Sequence, residues 1–504
     1  MNKTFLLKDL LAGVDYRTAS GDPAAAAVTD VCFDSRAAAA GALFAALPPT
    51  SEGGLDGHDF AGAAYEAGCR SFLVSHMPEA LVGKEDATVA LVDDTRHALA
   101  LASANFFGHP ARRVKLTALT GTKGKTTISF MLQAIFEAAG KSVGLIGSGG
   151  IYYGDVWVKL LNTTPESTRL QGFLSDMADA GVEYVFLEAT SQGFYLRRTD
   201  GIHFDLGLYT NISPDHISKT EHPSFEHYFE SKSRLFEQTD VCIVNRDAEM
   251  YGEIMRGAKG TRLITYGFAG PAGTDGLDYA AEGIVCAMEG TRMAVRFLCK
   301  APTWEAPIEL RIPGRFNASN ALAAIAIADY YSIPKEAIQR GLSVAVAAGR
   351  MEEIEVPAPY TVLIDFAHNR LSMESLMETA KAYGPKRILS VFGLEGNRAH
   401  IRRFDSGEIL GRDVDYTILA NASPRTDDPD RILADIATGI ERGGGQGRYE
   451  IIPDRREAIL KILSMAREGD LVLLIGKGNV PYEEVHGVNI PFSERAVVEE
   501  FFSK

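Results

Sequence analysis

Thr120-Gly121-Thr122-Lys123-Gly124-Lys125-Thr126-Thr127 follows a strand-like run, KLTALT at 115–120, and leads into an amphipathic helical pattern over 126–139. A strand, a glycine loop and a helix in that order can cradle phosphate. The glycines let backbone N–H groups approach phosphate oxygens, and the helix N-terminus adds positive potential. Lys125 can reach the terminal phosphates, and the hydroxyl of Thr126 can bind Mg2+. Leu119 stands where the regular form of such a loop has glycine, so this is a variant. A bland strand–turn–helix explains the glycines but not the adjacent Gly-Lys-Thr-Thr. The stretch predicts nucleotide binding by Gly121, Thr122, Lys123, Gly124, Lys125, Thr126 and Thr127.

Outward from this loop, buried-strand candidates at 142–146, 183–187, 205–209 and 241–244 alternate with helical patterns, as in a mainly parallel sheet. The Gly/Pro-rich segment 267–281 reads as a loop or excursion. A further unit begins near Ala348. Its candidates at 361–364, 387–391, 416–419, 449–452 and 471–475, separated by helical segments, read as a Rossmann-like doubly wound sheet. Before the loop, residues 1 to about 112 are rich in Ala and Gly, with short apolar runs at 70–75 and 88–92. The expected division is 1–112, 113–347 and 348–504 in an α/β chain. A length of 504 residues agrees, being too long for one core.

Bulk properties exclude several classes. Hydrophobic residues at 46% and charged residues at 23% are an ordinary globular balance. A net charge of −15 argues against nucleic acid as partner, although local cations and helix N-termini can still hold a small anion. Five scattered cysteines without a CxxC pair indicate neither a zinc ribbon nor a disulfide framework. Lys8 and Asp9 interrupt the first apolar run, and no apolar stretch reaches the ~18 residues of a membrane span. A soluble, cytoplasmic chain without membrane insertion is expected.

Two further side chains sit where a metal would be useful. Glu188 ends the candidate strand at 183–187, and His216 follows in TNISPDHIS, read as a strand at a comparable sheet edge. A carboxylate at the C-terminal edge of a parallel strand is well placed for Mg2+. Taken alone, Glu188 would be a surface residue, His216 a structural histidine, and Lys232 in HYFESKSRLF a solvated helix lysine.

The loop TGTKGKTT resembles that of the Mur ligase family, and the resemblance extends over nearly the whole chain. It implies a three-domain Mur ligase architecture with a central P-loop-type ATPase sheet and a C-terminal Rossmann-like domain. In that family ATP phosphorylates a substrate carboxylate, and an amine attacks the acyl phosphate. The resemblance implies that Glu188, His216 and Thr126 bind Mg2+ and that Lys232 becomes carbamylated, which supplies two oxygen ligands. Lys125, Lys232 and His216 are then the catalytic set. Metal ions and Lys125 would offset the charge of phosphoryl transfer. Arg311–Asn320 resembles the family's GxFNxxN segment, placing Asn317 near the adenine; the same residues could form only a helix cap. Gly349-Arg350-Met351-Glu352 and Asp365-Phe366-Ala367-His368 resemble GRME and DYAH, so Arg350 and Asp365 are expected to reach ATP, with closure by domain movement.

Within the family the chain looks like the MurE type, which extends a UDP-muramoyl dipeptide with a free amino acid. Phe33-Asp34-Ser35-Arg36 resembles the uridine-binding entrance, with Ser35 as a contact. Asn162, Thr163 and Thr164 of NTTPE, followed by Thr190, Ser191 and Arg198, match the UDP-sugar peptide site; read alone, NTTP is a turn. Hydroxyls and an arginine suit pyrophosphate and a glutamate carboxylate. For the amino acid, the family's DNPR appears as Ala422-Ser423-Pro424-Arg425, retaining Arg425. GKGHE appears as Gly476-Lys477-Gly478-Asn479-Val480, so Val480 replaces a glutamate that grips the distal amino group. The balance leans to L-lysine over meso-diaminopimelate, with Arg425 as the opposing residue and the Asp427–Asp428 pair as a candidate counter-charge. A monomer is expected. The alternatives are another Mur-fold amide ligase, MurF-like or serving a different anionic acceptor, and a non-catalytic Mur-like binding protein.

Overall fold

The run at 115–120 is the strand Lys115–Thr120, and it lies inside a parallel sheet. Across that sheet the order is Val143–Gly147, Tyr184–Glu188, Lys115–Thr120, Leu206–Tyr209, Val241–Asn245 and Arg262–Phe268, each parallel to its neighbour. An antiparallel hairpin, Gly150–Tyr153 with Val156–Val158, extends the Val143–Gly147 side. The computed structural model describes residues 4–50, 53–214, 217–218, 221–270 and 276–503.

The five strands from Val143–Gly147 to Val241–Asn245 in that order are buried on both faces, which is why they read as near-continuous apolar runs. Their core includes Leu116, Ala118, Val185, Leu187, Cys242 and Val244. Helix Lys125–Ala138 turns Ile128, Met131, Leu132, Ile135 and Phe136 inward, at the three- and four-residue spacing of one helix face. Ahead of this sheet, a five-stranded sheet runs Arg17–Ser20, Thr88–Leu91, Ser71–Val74, Ala42–Ala45, Asp30–Cys32. It carries a separate apolar core on each face.

The chain divides into two compact units, Met1–Ala280 with Ala323–Ile338, and Ala281–Leu322 with Gln339–Lys504. The second contains a six-stranded sheet in the order Glu352–Ile354, Thr361–Asp365, Leu471–Ile475, Ile388–Phe392, Tyr416–Leu419, Tyr449–Ile451. All pairs but the first are parallel. This is the doubly wound arrangement expected from the sequence. It also holds an antiparallel pair, Arg292–Lys300 with Glu305–Leu310.

Two local expectations change. The strand read through TNISPDHIS stops at Tyr209, and residues 211–213 are irregular. Pro214 has no N–H to give a ladder, and Asn211 is turned onto the phosphate loop instead. His216 itself lies outside the described residues. The excursion at 267–281 is narrower than expected, because the strands Arg262–Phe268 and Tyr279–Glu289 take its ends. Among the described residues no helix is long and apolar enough to cross a membrane.

Candidate active site

The glycine loop sits at the carboxyl edge of the parallel sheet, where ligands of such sheets bind. Gly121 has φ 140°, and a side chain there would overlap the Thr210 hydroxyl. The loop is braced from the next strand: Thr122 N donates to Asn211 O at 3.0 Å, Lys123 N to Asn211 Oδ1 at 2.9 Å, and Thr210 Oγ1 to Lys123 O at 2.8 Å. Lys125 opens the helix and folds back, its Nζ donating to Gly121 O at 2.6 Å and Thr122 O at 3.3 Å.

Glu188 pairs in register with Leu119 and is only 2% exposed. Its Oε2 accepts from Thr126 Oγ1 at 3.0 Å and from Ser148 Oγ at 3.1 Å, while Oε1 accepts from Ser148 N at 3.0 Å. The expected metal residues Thr126 and Glu188 therefore meet directly. Lys232, on helix Phe225–Ser233, is also 2% exposed, and its Nζ donates to Gly121 O at 3.0 Å. Burial at the loop overturns the solvated-lysine alternative. Among the described residues, no three His, Cys, Asp or Glu side chains gather as a metal cage.

Several residues expected to hold the acceptor lie beside this edge. Thr164 Oγ1 donates to Glu188 O at 2.9 Å and accepts from Thr190 N at 3.0 Å. Thr190 caps the short helix Ser191–Tyr195 through Gly193 N. Arg198 is buried, with Nε on Glu166 Oε1 at 2.7 Å and a second donor on Thr164 O at 3.0 Å. Arg96 stands 3.9 Å from the other oxygen of Glu166, and burial lowers its guanidinium from the usual value against the pull of that carboxylate. Thr163 reaches the Ser148 hydroxyl at 3.2 Å, and Asn162 is exposed. Ser191 meets the buried His222, whose other ring nitrogen faces His227 Nδ1 at 2.8 Å. Ser35 lies in the turn Ser35–Ala37 of the N-terminal sheet, capped by Asp34.

In the second unit, Asn317 lies inside helix Arg315–Tyr330, so it is no N-cap; its amide donates to Pro313 O at 2.6 Å and accepts from Asn320 at 2.8 Å. Asp365 ends its strand at the carboxyl edge and accepts from Met351 N and Ala367 N, both at 2.7 Å. Burial raises its carboxyl above the usual range, against the pull of Arg350. Arg350 stacks over Phe366 at 5.1 Å. Gly476 follows the adjacent strand with φ 98°, and a side chain there would run into the Gly393 carbonyl. Arg425 occupies a loop at the same edge, with Glu395 Oε2 at 3.1 Å and Glu484 Oε2 at 3.5 Å.

Sequence reasoning included Glu166 only as the end of NTTPE, and it missed Ser148, His222, Glu395 and Glu484. A serine directly after a buried strand, in Gly147-Ser148-Gly149, was the one local signal. The other contacts arise from chain segments far apart.

A family model for the Mur ligase middle domain matches residues 119–328, and one for the Mur ligase glutamate ligase domain matches residues 349–478. A Clostridium perfringens protein named UDP-N-acetylmuramoyl-L-alanyl-D-glutamate--2,6-diaminopimelate ligase is 34% identical over 500 residues, 98% of each chain. A Caldanaerobacter subterraneus protein of the same name is 35% identical over 502 residues, 99% of each. A solved structure under that name superposes with a TM-score of 0.70 at 24% identity, covering 99% of each chain.

Proposed function

The chain belongs to the Mur ligase family and is an ATP-dependent ligase, and on that premise we propose that it joins a diamino acid to UDP-N-acetylmuramoyl-L-alanyl-D-glutamate. The observation that carries this reading is the meeting of the phosphate loop, Glu188 and the Thr164–Thr190 pair at one sheet edge. A transferable phosphate and an acceptor carboxylate could be held side by side there.

In this scheme Gly121–Thr127 hold the ATP phosphates, with Asn317, Arg350 and Asp365 as further nucleotide contacts. Ser35, Asn162, Thr163, Thr164, Thr190, Ser191 and Arg198 hold the acceptor. Its carboxylate takes the γ-phosphate to give an acyl phosphate and ADP, and the amine of the amino acid then displaces phosphate to form the amide. Lys125 offsets the charge on the transferring group.

The oxygens of Thr126 and Glu188 are hard donors and fit Mg2+. A carbamate on Lys232 and the His216 ring would complete the set. A bound Mg2+ would supply charge neutralisation between two anionic reactants. Carbamylation of Lys232 is supported by its burial at the phosphate loop, where its Nζ reaches the Gly121 carbonyl. Arg425 and Gly476 form the amino-acid pocket. The relatives' names point to 2,6-diaminopimelate, in place of the L-lysine favoured by the pocket sequence alone. Domain limits at 1–112, 113–347 and 348–504, a monomeric state and a cytoplasmic location complete the proposal.

The test is phosphate release from ATP with Mg2+, the UDP-muramoyl dipeptide and an amino-acid panel, with products read by mass. Release that requires both dipeptide and amino acid, with a mass gain of one diamino acid, is expected. Release independent of the dipeptide would overturn the acceptor assignment.

A further inference from the structure

Neither acid of the Asp427–Asp428 pair serves Arg425. Asp428 caps helix Pro429–Arg442, accepting from Asp430 N at 3.0 Å. Asp427 pairs with Arg403 at 2.5 Å and accepts from Asn397 N at 3.0 Å. The carboxylates on Arg425 are instead Glu395, from the loop after strand Ile388–Phe392, and Glu484, from strand Tyr482–Val485.

Backbone holds this group in place. Arg425 has φ 56°, a left-handed conformation unusual for a long side chain. A bridge to the neighbouring strand keeps it there: Arg425 N donates to Glu484 O at 2.9 Å and His486 N donates to Arg425 O at 2.8 Å. Glu484 N in turn donates to Ser423 Oγ at 3.1 Å. The same short stretch that aims the guanidinium therefore aims one of its acids. Arg398 pairs with Glu395 at 3.1 Å, so two arginines and two glutamates balance. The Arg425 Nε faces Glu484 Oε2 at 3.5 Å, an ion pair too long for a hydrogen bond.

We propose that Glu395 and Glu484 are specificity-determining residues that hold the distal ammonium of the incoming diamino acid, making with Arg425 one zwitterion-reading group; this rests on the assignment of Arg425 to the amino-acid pocket. A bare guanidinium would attract a distal carboxylate and repel a distal ammonium. Two flanking carboxylates reverse the second effect, since each offers several lone pairs to an ammonium with three N–H donors. Arg425 has five donors, enough to keep both acids and accept a substrate carboxylate. This supplies the acid that is missing where Val480 stands, from two other places in the chain.

The test compares kcat/KM for 2,6-diaminopimelate and for 2-aminopimelate, which keeps the distal carboxylate but lacks the distal amine. Both are measured in the wild type, Glu395→Gln and Glu484→Gln, with L-lysine as a third substrate. The ratio of diaminopimelate to aminopimelate is expected to fall at least tenfold in each variant. An unchanged ratio overturns the proposal, whatever happens to the absolute rates, because equal loss on both substrates marks a merely structural role. Two variants on different elements guard against one failing to fold. If the wild type forms no amide with any of the three, the underlying function is removed instead.

Discussion

Lys125 and Lys232 donate to one and the same acceptor, the Gly121 carbonyl oxygen, at 2.6 and 3.0 Å. Two ammonium groups sharing one oxygen lie close enough to repel strongly in a partly dry site. Two cationic side chains thus converge on the first carbonyl of the phosphate loop, from the helix that follows it and from helix Phe225–Ser233.

Lys125→Ala is expected to abolish ligation, by at least about 10²–10³-fold in kcat, the scale for losing one preorganised charge in a transfer site. Its Nζ donates to two loop carbonyls and lies outside the strands of the core, so the circular dichroism spectrum should match the wild type. Turnover equal to the wild type would remove the phosphate-loop assignment.

Lys232→Ala is expected to be nearly inactive and partly restored by millimolar formate or acetate, which can stand in for a carbamate. The side chain is buried, so the space it vacates is shielded enough to hold a small anion. A fully active alanine variant, or one that no short carboxylate rescues, counts against the carbamate role.

Arg455 and Glu494 form an ion pair at 2.7 Å with both side chains essentially inaccessible. Arg455 also donates to Ile475 O at 2.9 Å, at the end of the strand leading to Gly476. Glu494→Ala should destabilise the second unit by about 3–5 kcal/mol, because it strands a buried guanidinium. Urea denaturation followed by tryptophan-independent circular dichroism would measure it; a loss below ~1 kcal/mol would mean that water reaches Arg455.

Burial lowers the Lys477 amine to about 8, although Glu494 pulls in the opposite direction. Between that value and the ordinary 10.5, the unfolded chain binds a proton that the folded chain does not. Stability from this group therefore rises with pH across that window, and below it the buried charge is a cost. The advantage of Lys477→Met over the wild type in urea midpoint should shrink between pH 7 and pH 10. A difference that stays constant would place the amine in solvent.

The parallel strands were legible because burial on both faces leaves little room for polar residues: all five residues of Leu471–Ile475 are buried. Glu188 was legible for the converse reason, as a charge closing such a run. The antiparallel strands Tyr279–Glu289 and Arg292–Lys300 were not read, since their half-exposed residues mix polar and apolar without a long run. Glu395 and Glu484 were invisible for a different reason. Their meaning lies in a shared guanidinium, and 89 positions of sequence separate them. His216 was named from its motif but lies outside the described residues.

Gly476 touches the Gly393 carbonyl so closely that no side chain fits between them. At this point of the proposed amino-acid pocket main chain meets main chain, and no side chain is tolerated. On the proposed reading, substrate choice would vary through the side chains grouped on Arg425, Glu395 and Glu484. A lineage could then change the amino acid it adds by a few substitutions around one fixed backbone contact, which would make such a pocket easy to retune and hard to rebuild.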